Sequence, residues 1–208
     1  MADIFDLFKK IEKTPVTVGE PVSHLVVGLG NPGDKYLHTR HNAGFLTLDY
    51  IIEKVGARID RSRFKALTGE AVIAGKRVLL MKPQTFMNNS GEAVVEAMNF
   101  YKVPIENVIV LCDDINLAPG KLRVRRKGSD GGQRGLRSII TLTGSDNFPR
   151  IRMGVGAKPH PDYDLGDWVL GEIPKVDQAA FFEAMGKAYD ALPLILAGDV
   201  DRAMNLVN

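Results

Sequence analysis

The residues best suited to chemistry crowd into one short stretch. Asn31, Tyr36, Arg40, His41 and Asn42 lie between an apolar run and a helical-looking segment, where polar groups can face a cleft. Of the four histidines, His24 stands at the head of the apolar run, His160 sits between two prolines, and His38 lies within the polar loop. His41 is the candidate, because it falls at the start of the helical segment between Arg40 and Asn42. Histidine is the side chain that most readily moves protons near neutrality. Cys112 is the single cysteine and precedes Asp113-Asp114, which invites a thiol-nucleophile reading. Side chains alternate along a strand, so positions 112 and 113 should face opposite ways, and free cysteines are most often small buried hydrophobes. Asp113 reads either as a site carboxylate or as an ordinary strand end. No grouping of His, Cys and carboxylates has metal-ligand spacing, and the letters Phe86-Met87-Asn88 do not indicate flavin, so neither metal nor cofactor is expected.

The elements that must position these groups can be read from periodicity. Leu25-Val26-Val27 is suited to a buried strand and empties into Gly28-Leu29-Gly30-Asn31-Pro32-Gly33. A helical stripe of Phe45, Leu48, Ile52 and Val55 follows, with Gly56 placed to end it. The spacing Gly28-x-Gly30-x-x-Gly33 matches the dinucleotide fingerprint, which works when a helix starts within the glycines and offers its N–H groups to a pyrophosphate. Here Pro32 removes one donor, the helical period begins only near Asn42, and a hairpin rather than a parallel strand follows, so the nucleotide reading is disfavoured.

Ala66 to Ile73 and Lys76 to Met81 read as that hairpin, turning at Ala74-Gly75. Lys82 to Asn89 reads as a loop, with Ser90 expected to cap a helix carrying Val94, Ala97, Met98 and Tyr101 and halted before Pro104. Val108 to Cys112 is a continuous apolar run, hence a central strand. Lys121 to Lys127 alternates apolar and basic residues, and so does Arg150 to Gly156, with Ile151, Met153 and Val155 expected inward and Arg150 and Arg152 outward. Between them lie a glycine-rich loop, Gly128 to Gly135, and a helix with Leu136, Ile139 and Ile140. Ala157 to Pro174, around Trp168, reads as loop and as a candidate lid, followed by a helix to about Ala191 and a last one capped by Asp199.

At 208 residues and 45% hydrophobic, the chain is expected to form one domain, residues 24–208, behind an extension over residues 1–23 in which Ile4, Phe5, Leu7, Phe8 and Ile11 suit a short amphipathic helix. No apolar run approaches the roughly 20 residues of a membrane span, and the N-terminus lacks a signal peptide's apolar centre. A lone cysteine agrees with a reducing, cytoplasmic setting. The net charge of +2 is unevenly spread: Lys121 to Lys158 holds ten Lys and Arg against Asp130 and Asp146, whereas nine acids face Lys175, Lys187 and Arg202 from Pro159 onward. A basic middle with basic strand faces suggests a polyanion footprint, which places Arg123, Arg125 and Arg152 among candidate nucleic-acid contacts.

Several separated motifs jointly resemble the bacterial peptidyl-tRNA hydrolase family: Gly28 to Gly33, Tyr36, Thr39 to Gly44 (TRHNAG), Lys82 to Gly91 (KPQTFMNNSG), Asp113-Asp114, and Gly131-Gly132 with Gly135-Leu136. Five motifs together with Tyr36, all in the family's order, are far more specific than any one alone. The resemblance implies a single three-layer α/β/α domain around a mixed, largely parallel sheet. It also implies hydrolysis of the ester joining a peptide to the terminal ribose of tRNA, by a monomer without metal or cofactor. On the same basis His41 is the general base for water, Asp113 its orienter, and Asn31 and Asn88 the amides that complete the site. Tyr36, Phe86 and Asn88 are expected against the substrate. Where the family commonly has Gly-Gly-His-Asn-Gly, this chain reads Gly131-Gly132-Gln133-Arg134-Gly135. Arg134 has no acceptor and cannot copy an asparagine, but it can meet a phosphate. Two rivals are a non-catalytic RNA binder, which would not need His41, and a nucleotide-dependent oxidoreductase, which Pro32 argues against.

Overall fold

The structure, a computed structural model, describes residues 20–208. The amphipathic segment expected around Ile4 to Ile11 lies outside the described residues. Strand β1 (His24–Gly28) forms over the apolar run Leu25-Val26-Val27, and all three residues are fully buried. Two later strands, β4 (Lys76–Pro83) and β5 (Val108–Asp114), flank it, both parallel to it. Beyond β5 lies β7 (Arg150–Gly154), parallel again. The edges are antiparallel: β3 (Ala66–Ile73) on β4 with β2 (Arg61–Arg63) outside it, and β6 (Leu122–Arg125) on β7. Among the described residues this gives one sheet of seven strands, ordered β2-β3-β4-β1-β5-β7-β6. The β3–β4 turn places Ala74 at φ 49° and Gly75 at φ 75°, the paired positive values that a tight two-residue hairpin requires.

Strand alternation divides the core in two. Val26, Ile109 and Leu111 face helices α1 (Ala43–Val55), α5 (Lys175–Leu196) and α6 (Val200–Val207). Leu25, Val27, Val110 and Cys112 face α2 (Ser90–Tyr101) and α3 (Arg134–Thr143). Two-sided burial is why β1 and β5 read as unbroken apolar runs, each buried aliphatic contributing about 1.5–3 kcal/mol. The result is the expected three-layer α/β/α domain with a mixed sheet.

Two expectations need adjusting. Ser90 is the first residue of α2 and does not cap it; its hydroxyl donates to the Met87 carbonyl (2.9 Å), and the cap position is Asn89. The helix expected to end near Ala191 continues to Leu196 with Pro193 inside it.

The glycines of the first turn serve packing. A Cβ on Gly44 would come within 2.3 Å of the Leu111 carbonyl and 2.5 Å of the Leu29 backbone, and one on Gly28 within 2.6 Å of the Gly44 carbonyl. Only glycine lets α1 begin this close to the ends of β1 and β5. That close approach sets the residues just before α1 beside the last residues of β5.

Candidate active site

Arg40, His41 and Asn42 form a single 3₁₀ turn leading into α1, and all three are buried. His41 Nδ1 lies 2.9 Å from Asp113 Oδ2, at the end of β5. An ionised carboxylate only accepts, so the neutral imidazole that fits this contact carries its proton on Nδ1 and keeps the Nε2 lone pair for the cleft that His41 lines. The cleft, about 510 Å³, opens over the carboxyl ends of β1, β4 and β5, where ligands collect in open α/β sheets.

Asn31 is held from both sides. Its backbone N–H donates to Asn42 Oδ1 (2.8 Å), and Asn42 Nδ2 donates back to its carbonyl (3.0 Å). Its own Oδ1 accepts from the Met87 N–H (2.9 Å), which joins the first turn to the loop after β4. With Oδ1 taken, Nδ2 is the group Asn31 presents to the cleft. Asn88, Tyr36 and Phe86 also line it, and the Tyr36 and Phe86 rings meet edge to face at 6.5 Å. Phe86 is 54% exposed at φ 57°, ψ 161°, a conformation that side-chain-bearing residues rarely adopt.

The basic residues divide. Arg152 lines the cleft with Nε 2.9 Å from Asp114 Oδ2, an ion pair out of line for a hydrogen bond. Arg134, first residue of α3, is exposed at the cleft rim. Arg123 and Arg125 stand exposed on β6, opposite Arg152 and Arg150 in register, and do not line the cleft. Arg150, expected outward, is instead 1% exposed. Its guanidinium donates to the carbonyls of Gly128, Ser129, Asp146 and Phe148 and stacks on the Phe148 ring at 4.2 Å. Alternation gave its face correctly, but the 128–135 loop folds over that face and buries it.

Arg40 and Asn42, candidates for the cleft, do not line it. The Arg40 guanidinium sits 3.6 Å over the Trp168 ring and donates to the Trp168 carbonyl (3.3 Å). Its N–H also bonds the Gly171 carbonyl (3.0 Å). These contacts pin α4 (Leu165–Leu170), a short helix capped by Asp164, against the His41 turn. Leu165, Val169 and Leu170 thus become an apolar wall of the cleft, which the loop reading of 157–174 did not reveal.

Gln133 is the other residue the sequence did not mark. It is 6% exposed, and its Nε2 donates to Asp113 Oδ1 (2.9 Å) and touches Met87 Sδ (3.1 Å). The available signal was its place in Gly131 to Gly135, one position before α3. Cys112 is fully buried on the opposite side of β5 from Asp113, and burial first, then the neighbouring carboxylate, pushes its thiol up to about 12. No group of three or more potential ligands could hold a metal among the described residues, and no described helix is long and apolar enough to cross a membrane.

Fold and site together define an α/β domain with a cleft at the ends of its parallel strands, lined by a buried histidine–carboxylate pair. The chain belongs to the peptidyl-tRNA hydrolase family, whose model matches residues 25–208. It is 51% identical to the peptidyl-tRNA hydrolase of Agathobacter rectalis over 186 residues, 89% of this chain and all of that one. With the peptidyl-tRNA hydrolase of Caldicellulosiruptor bescii it shares 46% identity over 187 residues, 90% of this chain and 97% of the other. The crystal structure of peptidyl-tRNA hydrolase from Acinetobacter baumannii superposes with a TM-score of 0.84 at 34% identity, covering 92% of this chain and 97% of that one.

Proposed function

We propose that this chain hydrolyses peptidyl-tRNA at the ester between the peptide and the terminal ribose, with water as nucleophile and residues 24–208 as the catalytic unit. The observation that carries the reading is the buried His41–Asp113 pair, 2.9 Å apart, with the second ring nitrogen left for the cleft. Water gives a proton to His41 Nε2 as its oxygen bonds the ester carbonyl carbon. Asp113 holds the tautomer this requires and stabilises the imidazolium that forms. Negative charge then sits on the former carbonyl oxygen, where Asn31 Nδ2 and the Asn88 amide are available donors. Collapse breaks the bond to the ribose oxygen, which takes the proton from His41. Peptide acid and free tRNA leave. No step needs a metal.

Tyr36 and Phe86 supply an aromatic wall, and the α4 residues an apolar one, for the ester's two ends. Arg123, Arg125, Arg152 and Arg134 supply charge for the tRNA backbone.

The test is peptide release from purified peptidyl-tRNA by the parent protein and by His41→Ala, each with and without chelator. Release by the parent that chelator does not alter is expected. His41→Ala should lose roughly a hundredfold or more in kcat, the usual worth of a positioned base, while binding tRNA almost as before. Undiminished turnover in that variant would remove His41 from the mechanism.

A further inference from the structure

The Asp113 carboxylate is almost wholly buried, and His41 occupies only one of its oxygens. Among the described residues, the other oxygen has a single hydrogen-bond partner, the Gln133 amide at 2.9 Å. A carboxylate held through one oxygen can swing about its side-chain bonds, and a buried acceptor without a donor is costly. Gln133 removes both problems. Its other amide atom, Oε1, accepts from the Leu136 N–H (2.8 Å) and so caps α3. One side chain thus spans from the start of a helix to the acid of the pair, and its contact with Met87 reaches the residue whose N–H holds Asn31. Asp114, next along β5, is engaged elsewhere, by Arg152 and by Asn116.

We infer that Gln133 is a positioning residue for the hydrolytic step: it fixes the angle of Asp113 to His41 and locks that angle to α3. A neutral amide suits the place, since its N–H cannot be lost at any working pH and it adds no second negative charge beside Asp113. The inference rests on the proposed role of His41, and the test keeps the two apart.

Two substitutions separate positioning from helix capping. Gln133→Ser keeps the cap, because a serine hydroxyl at that position accepts from the same Leu136 N–H, but it is too short to reach Asp113. Gln133→Glu keeps both length and cap but sets an acceptor against an acceptor. Peptide-release kinetics and melting temperature would be measured for both, beside His41→Ala. Gln133→Ser is expected to lower kcat about tenfold with KM within about twofold, and Gln133→Glu to lose more, since small misplacement of a reacting group costs rate before it costs binding. Melting temperatures should stay within a few degrees of the parent's. Should Gln133→Ser keep the parent kcat, Gln133 is a helix cap only and the inference falls. Should that variant melt early, Gln133→Glu decides, and a parent-like kcat there overturns the inference equally. Were His41→Ala to retain turnover, the failure would belong to the mechanism and not to Gln133.

Discussion

In the proposed mechanism the imidazole serves as base only if something decides which of its nitrogens holds the proton, and the group placed to decide is the Asp113 carboxylate, bonded at one oxygen by His41 and at the other by Gln133. The same strand supplies the contrast. Cys112 and Asp113 are chain neighbours, yet one points into the α2 and α3 core and the other to the His41 turn. Burial disfavours the thiolate, so the thiol pushed up to about 12 stays protonated through the working range. In the folded protein Cys112 should therefore resist iodoacetamide at pH 8 and label fully once unfolded, and Cys112→Ala should retain most of its turnover. Stoichiometric labelling of native protein with loss of peptide release would restore the thiol to the mechanism.

At the scale of elements, the loop after β4 carries a conformational cost that the helices and strands do not. Phe86 holds positive φ with its ring largely in solvent, an arrangement worth about 1–3 kcal/mol of strain, against about 0.5–1 kcal/mol for the extra freedom of a glycine. Phe86→Gly should thus leave stability unchanged or raise it by about 1 kcal/mol while KM for peptidyl-tRNA climbs several-fold. Thermal melting and steady-state kinetics read the two effects separately, and a clear fall in melting temperature would refute the strain argument. Sequence reading succeeded where one signal dominated. The unbroken runs of β1 and β5, the hairpin at Ala74-Gly75 and the αL glycine at Gly56 were all legible. It proposed His41 and Asp113 together only through motifs, because their 2.9 Å contact joins residues far apart in the chain. It missed Gln133, since glutamine is not among the usual capping residues and its target lies on another element. Arg150 was misplaced for a related reason: alternation reports a face and says nothing of what later folds over it.

For the whole molecule, charge is laid out with a direction. Arg152 sits inside the cleft, Arg123 stands across from it on the edge strand, and Arg125 lies further along the same exposed face. A backbone running out of the cleft would meet these cations in turn, each phosphate contact adding slightly less than one to the slope of log affinity against log salt. Replacing Arg123 and Arg125 together with alanine should flatten that slope by about one to two and raise KM, with kcat at saturation kept. An unaltered slope would mean that tRNA does not cross β6. The acidic tail meets β6 from its apolar face: Val200 and Ala203 pack in the same core as Leu122 and Val124, Asn208 bonds the Val124 backbone, and Arg126 pairs with Asp201 at 2.8 Å.

The strand order carries one more consequence, in time and not in space. Among the described residues β1 is the first strand to be made, yet both neighbours that hydrogen-bond it, β4 and β5, are made later, and Gln133 later still. This apolar strand therefore waits without pairing partners while the nascent chain lengthens. Contacts of such long sequence separation fold slowly. Asp113 cannot be locked on both oxygens until α3 has docked, so peptide release in a refolding experiment should recover with the final phase and never ahead of it.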